Sequence, residues 1–219
     1  MIILAIDTCL EACSAALLEG ATVLAAESLP MARGHQEALA PLVEKLVAQA
    51  GIAFSDLDRI GVTVGPGSFT GLRVGLAFAK GLGAALDRPV AGIGALAALA
   101  EPHGPGLVFP LIDARRGQVY LQAFAQGRPL MAPDALEIDT AAARLAELSG
   151  GGACRLVGSG AALLAGLLPG AEVFPDGACD PAAVGRLAAA APGTAAPRPL
   201  YLRAPDARLP GGLPGPEAA

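Results

Sequence analysis

The sequence has little charge, few histidines and no paired cysteine motif. Of its 219 residues, 16% are charged and 53% are hydrophobic, and the formal net charge is −5. This balance excludes intrinsic disorder, which needs low hydrophobicity and high charge. The two histidines, His35 and His103, are far apart, so a multi-histidine metal site is excluded. No block of lysine or arginine is present, which argues against a stand-alone nucleic-acid binder with a basic face.

Long hydrophobic runs are also missing. The longest uninterrupted apolar stretch, Val90 to Ala100, is too short to span a bilayer. The N-terminal apolar run has no basic segment before it and is broken by Asp7, so it does not match a secretory signal. Without an export signal, the four cysteines are expected to be free thiols in a reducing environment. We therefore expect a cytoplasmic protein that makes no contact with a membrane.

Two successive cycles of α/β elements are present. In the first cycle the predicted strands are Met1–Asp7, Ser14–Leu18, Thr22–Ala26, Arg59–Val64 and Pro89–Ile93. The predicted helices are Gln36–Ala50, a helix that follows Arg59–Val64 and ends near Leu86, and a short helix Gly94–Leu99. The second predicts Leu107–Asp113, Gln118–Ala125, Arg128–Met131, helix Thr140–Leu148, Cys154–Val157, helix Ala161–Leu168 and helix Pro181–Ala191. Continuous apolar strands such as Met1–Asp7 are typical of a sheet covered on both faces.

The two cycles match each other in pattern. At an offset of 106 residues, Asp7 falls on Asp113 and Leu24 falls on Leu130. This correspondence predicts an internal duplication, with two unrelated β-meanders as the alternative. We expect an N-terminal lobe over residues 1–102 and a C-terminal lobe over 103–204, whose last part is free to return to the first lobe. The Pro- and Gly-rich segment 205–219 is expected to be disordered.

A glycine-rich segment from Gly65 to Arg73 follows the predicted strand Arg59–Val64. Pro66 fixes its own φ and is expected to hold Gly65 extended. Ser68 or Thr70 can cap the next helix, and amides from Gly71 onward suit a phosphate or carboxylate. A tight turn that binds nothing fits the segment equally well. It is neither a Walker A loop nor a GxGxxG motif, because the lysine and the glycine spacing are absent.

Two aspartates and a second glycine pair extend this candidate site. Asp7 and Asp113, at facing strand ends, could hold a metal–nucleotide between the halves, or each could cap its own turn. Gly158-Ser159-Gly160 suits close approach to an adenine or ribose. The candidate nucleotide-binding residues are Asp7, Thr8, Gly65, Gly67, Ser68, Thr70, Gly71, Asp113, Gly158 and Gly160. The pair Arg115-Arg116 could contact a phosphate or a partner carboxylate, or lie in a solvated turn.

The helix after the glycine-rich segment is apolar on nearly all sides. Gly71, Gly75, Ala79 and Gly83 recur every four residues and form a smooth stripe. Because one amphipathic neighbour cannot cover two apolar faces, we expect a subunit interface, with burial inside the same chain as the alternative. The variant Leu76→Asp is then expected to separate an oligomer without unfolding it. The candidate interface residues are Leu39, Leu42, Leu46, Leu72, Arg73, Gly75, Leu76, Ala79, Lys80 and Gly83.

Five segments, in order along the chain, resemble the bacterial TsaB family. The segment Gly65–Arg73 (GPGSFTGLR) is the most specific. The others are Ile3–Thr8, Gly34–Leu42, Asp113–Tyr120 and Pro199–Arg203. The resemblance implies an α/β fold of the duplicated actin/Hsp70/sugar-kinase-like (ASKHA) type, with two lobes that each carry a mixed sheet and flanking helices.

The same resemblance implies a non-catalytic subunit for threonylcarbamoyl transfer to the adenosine next to the tRNA anticodon. The catalytic relative TsaD carries a His-x-x-x-His motif that Val90–Leu99 lacks here. The implied partners are a TsaD-like subunit and a TsaE-like ATPase, with a homodimer in isolation and tRNA contacted only indirectly. No metal and no tightly bound cofactor are implied, although ATP or ADP at a subunit interface is compatible. The alternatives are an ATP-dependent enzyme, a glycopeptidase-like hydrolase and a nucleotide-binding sensor.

Overall fold

Two mixed β-sheets organise the chain in a computed structural model that describes residues 1–192 and 196–203. The first sheet contains β1 (Ile2–Asp7), β2 (Ala12–Glu19), β3 (Thr22–Pro30), β4 (Arg59–Thr63) and β5 (Val90–Ile93). The second contains β6 (Leu107–Arg115), β7 (Gln118–Leu121), β8 (Phe124–Ala125), β9 (Arg128–Pro129), β10 (Asp134–Glu137), β11 (Arg155–Val157) and β12 (Glu172–Phe174). The segment expected to be disordered, 205–219, lies outside the described residues.

Helices cover both sheets. They are α1 (His35–Ala50), α2 (Phe69–Leu86), α3 (Ala95–Ala100), α4 (Ile138–Ser149), α5 (Ala161–Leu164) and α6 (Pro181–Ala190). Short 3₁₀ turns lie at Phe54–Asp56, Glu101–His103 and Ala165–Leu167. The predicted helix Ala161–Leu168 is therefore a single α-helical turn that continues as a 3₁₀ turn. No helix in the described part of the chain is long and apolar enough to cross a membrane.

The two sheets repeat one strand order. The first runs β3-β2-β1-β4-β5 and the second runs β10-β7-β6-β11-β12. In each, the central strand is antiparallel to the hairpin strand that follows it and parallel to the strand on its other side. This confirms the duplicated ASKHA-type α/β fold. The lobe boundary between residues 102 and 103 stays a prediction.

The third strand of the second sheet differs from the prediction. It is β10, whereas the predicted strand Arg128–Met131 contributes only β9, in a hairpin with β8. The predicted strand Gln118–Ala125 is also interrupted, because β7 pairs with the end of β6 and β8 pairs with its beginning. The alignment of Leu24 with Leu130 was therefore wrong, while Asp7 and Asp113 do lie on equivalent strands.

The first sheet is covered on both faces. Helices α1 and α2 pack on one face, and α6 packs on β1, β2 and β4 from the other. Helix α6 lies close to the first sheet, and this distance requires small residues where the helix and the sheet touch. A Cβ atom on Gly61 would lie 2.5 Å from the Ala188 Cβ, and one on Gly185 would collide with Leu18. Arg59 Nη1 also donates to the carbonyl oxygens of Ala188 and Ala191, at 2.7 Å each. Helix α6, which comes from the second half of the sequence, thus covers the second face of the first sheet.

An ion-pair network fixes α6 to the turn between the lobes. Arg186 Nε and Nη2 donate to the two carboxylate oxygens of Glu101, at 2.6 and 2.7 Å. Arg186 Nη2 also lies 3.2 Å from Asp180 Oδ2. A bidentate arginine–carboxylate pair constrains orientation as well as distance. The network therefore ties the helix that covers the first sheet to the chain entering the second.

The smooth stripe on α2 faces this chain's own sheet. A Cβ on Gly75 would lie 2.5 Å from Thr8 Oγ1, and one on Gly83 would lie 2.5 Å from Val90 Cγ2. Burial inside the same chain, the alternative, accounts for the members that the monomer covers: Leu42, Leu46, Leu72, Gly75, Leu76, Ala79 and Gly83. Leu39 is buried as well but also lines a groove between α1 and α2, and the subunit interface stays a prediction. Arg73 and Lys80 are exposed. The physical reason for the burial is that glycine and alanine let α2 lie close to β1, β4 and β5.

Candidate functional site

A cleft of about 600 Å³ lies between the lobes. It is lined by the turn after β1, the beginning of α1, the glycine-rich loop and the end of β6. Among the candidate nucleotide-binding residues, Gly67, Ser68 and Asp113 line it. The side chains of His35 and Tyr120 line it as well.

Asp7 lies outside this cleft, in the interior. Its side chain is fully buried, and Oδ1 accepts hydrogen bonds from Thr63 Oγ1 at 2.6 Å and from the Cys9 backbone N–H at 3.2 Å. Oδ2 is buried without a hydrogen-bond partner. Burial raises the pKa of Asp7, and the hydrogen bonds from Thr63 and Cys9 oppose that shift only in part. Asp7 therefore anchors the turn after β1 rather than facing a ligand.

Asp113 caps its own turn. Its carboxylate accepts from the Arg115 backbone N–H at 2.7 Å and from Arg115 Nη1 at 3.0 Å. Its own backbone N–H donates to Ser159 Oγ at 3.1 Å. Asp7 is sealed in the core and Asp113 is used by its turn, so the two carboxylates do not face each other across the cleft. The turn-capping alternative accounts for Asp113.

The glycine-rich loop packs tightly on the turn after β1. Gly65 has φ 101°, not the extended conformation predicted, and the Gly65–Pro66 bond is cis. A Cβ on Gly67 would lie 3.0 Å from the Cys9 carbonyl carbon and closer still to its oxygen. A Cβ on Gly71 would likewise lie 3.0 Å from the Thr8 carbonyl carbon and closer still to its oxygen. These glycines allow backbone-to-backbone contact between the start of α2 and the end of β1.

The amides at the start of α2 are used within the chain. Ser68 is the N-cap, as predicted, and its Oγ accepts from the Gly71 N–H at 3.3 Å. The Leu72 N–H donates to the Ser68 carbonyl, and the Ser68 N–H donates to the Cys9 carbonyl. Thr8 Oγ1 donates to the Gly71 carbonyl at 2.7 Å. These bonds fit the alternative of a tight turn, because the Gly71 and Leu72 N–H groups already have partners in Ser68. Anion binding at this loop stays a prediction. Thr70 is an exposed residue within α2 rather than its cap.

Gly158 and Gly160 support β6. A Cβ on Gly158 would collide with the Leu111 carbonyl oxygen, and the Gly160 N–H donates to that same oxygen at 3.0 Å. Ser159, between them, faces the cleft. The pair thus serves close packing, and nothing in this geometry selects an adenine.

His35, which the helix-start pattern predicts to be exposed, is instead buried and lines the cleft, and neither it nor Tyr120 was among the candidate site residues. His35 is 6% exposed at the start of α1, and its Nε2 is buried without a hydrogen-bond partner. Its position directly after Gly34, which has φ 88°, was the available signal, because a left-handed glycine turns the chain into the helix. The four cysteines are all buried free thiols, as predicted.

The chain matches known proteins across the segments that build this region. The family model described as "TsaD: tRNA N6-adenosine threonylcarbamoyltransferase" matches residues 29–152, more than half of the chain. The tRNA threonylcarbamoyladenosine biosynthesis protein TsaB of Bacillus subtilis is 42% identical over 122 residues, which are 55% of this chain and 53% of that protein. The chain belongs to the TsaB family.

Longer alignments support the same family. An uncharacterized protein of Mycobacterium tuberculosis is 37% identical over 94% of this chain and 93% of its own length. A crystal structure described as an uncharacterized protein with similarity to peptidase YEAZ from Pseudomonas aeruginosa has a TM-score of 0.78 and 29% identity. It covers 92% of this chain and 99% of its own. With the curated TsaB proteins, by contrast, the chain aligns over only about half of their length.

Proposed function

We propose that this chain is a non-catalytic subunit in the formation of threonylcarbamoyladenosine in tRNA. It acts by binding a TsaD-like catalytic subunit through the exposed face of α1 and α2. The family supports the pathway, because the TsaB relatives carry its name. The observation that carries the proposal is an open groove between α1 and α2, whereas the candidate nucleotide-binding glycines Gly67, Gly71 and Gly158 pack against this chain's own backbone.

The non-catalytic role rests on how the polar side chains in and around the cleft are used. Asp7 is sealed under the cleft, and Asp113 is bonded to Arg115 and its own turn. His103, which does not line the cleft, packs against Phe174 in a tilted arrangement with ring centroids 4.7 Å apart, and burial lowers its pKa. No His-x-x-x-His pair is available in the sequence to bind a metal. Transfer chemistry is therefore assigned to the partner.

The groove between α1 and α2 has the chemistry of a helix-docking surface. Its volume is about 500 Å³, and its apolar lining residues are Leu39, Phe69, Val74, Ala77 and Phe78. Gln36, Thr70 and Arg73 add polar groups. Phe69 is 47% exposed, and Val74 and Phe78 are only partly covered. Burial of apolar area favours association, and the loss of translational, rotational and side-chain freedom on binding offsets part of that gain. A second copy of this chain would occupy the same face when the catalytic partner is absent.

The proposal extends to the rest of the assembly. A TsaE-like ATPase joins the heterodimer, and ATP or ADP is bound at a subunit interface rather than by this chain alone. The support is that the candidate nucleotide-binding glycines Gly67, Gly71 and Gly158 pack against this chain's own backbone. Calorimetry with ATP and ADP on the isolated chain should therefore show no tight binding.

The test uses an exposed residue, because Leu76 is buried and Leu76→Asp would damage the core. Ala77 is exposed in the groove, and Ala77→Glu places a charge there at little helical cost. Ala143→Glu, on an exposed position of α4, is the matched control. Each variant is co-purified with the TsaD-like protein of the same cell. Threonylcarbamoyladenosine is measured by nucleoside mass spectrometry after depletion of the native chain.

Wild type and Ala143→Glu should bind the partner and restore the modified nucleoside, and Ala77→Glu should lose both. Ala77→Glu behaving as wild type would reject the docking surface. Failure of the wild-type chain to restore the nucleoside would reject the pathway. Turnover of ATP or peptide by the purified chain alone would instead favour the enzymatic alternatives.

A further inference from the structure

A second cleft carries an unusual concentration of positive charge. It has a volume of about 670 Å³ and is lined by Arg73, Arg115, Arg116 and Arg203, with no acidic residue among its described lining. The whole chain, by contrast, has 20 acidic and 15 basic residues. We call this region the arginine cleft. Local charge of this kind attracts an anionic partner whatever the sign of the net charge.

Aromatic rings form one wall of the arginine cleft. The Arg73 guanidinium carbon lies 3.7 Å from the centroid of the Phe69 ring, and its Nε donates to the Tyr201 hydroxyl at 3.2 Å. The rings of Phe69 and Tyr201 are 5.4 Å apart and are 47% and 45% exposed. The tilted ring pair and the guanidinium over the Phe69 ring hold one another in place, so this wall is a preorganised apolar surface at the edge of the cleft.

The opposite wall is the turn between β6 and β7. Arg115 and Arg116 have φ 64° and 56°, a left-handed conformation that arginine seldom adopts. The Arg115 side chain is 77% exposed, although it also pairs with Asp113. Arg203 Nη1 donates to the Ala114 carbonyl at 2.6 Å, which joins the segment 196–203 to this turn. Three separate segments thus hold four arginines around one opening.

We propose that the arginine cleft binds RNA directly, with its arginines on backbone phosphates and the Tyr201 ring stacking on a base. Phe69 and Arg73, which also line the groove between α1 and α2, hold the Tyr201 ring in place through their contacts with it. A single mononucleotide fits less well, because the rings are half-exposed rather than enclosing a base pocket, and the arginines are spread over three segments. This inference rests on the proposed function, which gives the chain a tRNA to meet. It replaces the expectation of indirect contact, since the net charge of −5 conceals the local arrangement.

The test is fluorescence anisotropy of a labelled tRNA transcript with the full chain, between about 50 and 200 mM salt. The double variant Arg115→Asn/Arg116→Asn removes two charges, and asparagine tolerates the left-handed backbone. Arg144→Asn, on exposed α4, is the control. We expect the double variant to bind about tenfold or more weakly and to flatten the salt dependence by about 0.7–0.9 per lost contact. Tyr201→Ala should cost about fivefold or more, and Tyr201→Phe should retain stacking.

Several results would overturn the proposal. They are absence of tRNA binding by the wild-type chain, equal loss in Arg144→Asn and the double variant, or displacement of tRNA by ATP at micromolar concentration. The last would make the cleft a mononucleotide site. Circular dichroism confirms that the variants fold. Threonylcarbamoyladenosine is measured in parallel. If the wild-type chain restores this nucleoside but does not bind tRNA, only RNA binding at the arginine cleft is rejected. If the wild-type chain does not restore threonylcarbamoyladenosine, the proposed function is rejected.

Discussion

The contact between the start of α2 and the end of β1 leads to a quantitative prediction for Gly71→Ala. The new Cβ would lie 3.0 Å from the Thr8 carbonyl carbon and closer to its oxygen, so the helix must move away from the strand. Overpacking of this kind costs about 1–3 kcal/mol. The movement also breaks the buried hydrogen bond from Thr8 Oγ1 to the Gly71 carbonyl, for about another 1–3 kcal/mol.

Alanine regains about 1 kcal/mol of helix propensity, which leaves a net loss of about 3 kcal/mol. For a chain of this size the melting temperature should fall by roughly 6–12 °C. Urea denaturation followed by circular dichroism measures the change. Gly81→Ala is the matched control, since Gly81 lies in the same helix and a Cβ added there would have no neighbouring atom within 4 Å. It should gain about 0.5–1 kcal/mol. Stability of Gly71→Ala within about 0.5 kcal/mol of wild type would refute the packing argument.

Three further predictions concern the buried carboxylate of Asp7, the ion pairs of Arg186 and the four cysteines. Wild type should lose stability relative to Asp7→Asn as pH rises from 3.8 through the raised pKa of Asp7, because in that range only the folded state holds the Asp7 proton. Urea titrations at several pH values measure this difference in the free energy of unfolding. A difference that does not change with pH would contradict the burial of Asp7. Arg186→Leu should lower the free energy of unfolding by about 1 kcal/mol, because it removes partly exposed ion pairs, and the control Arg144→Leu should leave it unchanged. A double-mutant cycle of Arg186→Leu with Glu101→Gln measures the coupling energy between the two side chains. A coupling energy near zero would reject the network. Burial raises the pKa of all four cysteine thiols, so Ellman's reagent should label them only upon unfolding; rapid labelling of native protein would be inconsistent with their burial.

The fold was predictable where burial imposes a strong pattern. The continuous apolar run of β1 and the amphipathic period of α1 predicted their elements closely, and the spacing of Asp7 and Asp113 identified the duplication. The third strand of the second sheet was missed because Asp134–Glu137 is short and only half-buried, so it has no clear alternation. A hairpin inserted before it also shifted the offset between the two halves.

The candidate site was less predictable because glycine has several uses. Gly67 and Gly71 look the same in sequence whether the absent Cβ admits a phosphate or another backbone, and here it admits the carbonyls of Cys9 and Thr8. The stripe that includes Gly75 was ambiguous for the same reason, since a sheet and a partner helix both require small residues. The arginine cleft was hidden because it joins residues far apart in sequence, such as Arg73 and Arg203.

The return of α6 to the first sheet has a consequence for synthesis of the chain on the ribosome. The strands of that sheet are complete by Ile93, but the helix that covers their second face ends at Ala190. At about 5–20 residues per second, the nascent chain carries an uncovered apolar sheet face for roughly 5–20 s. An N-terminal half produced by itself would keep that face exposed permanently and should aggregate. The gene therefore has no point, between its two structural repeats, at which it can be divided into independently folding products.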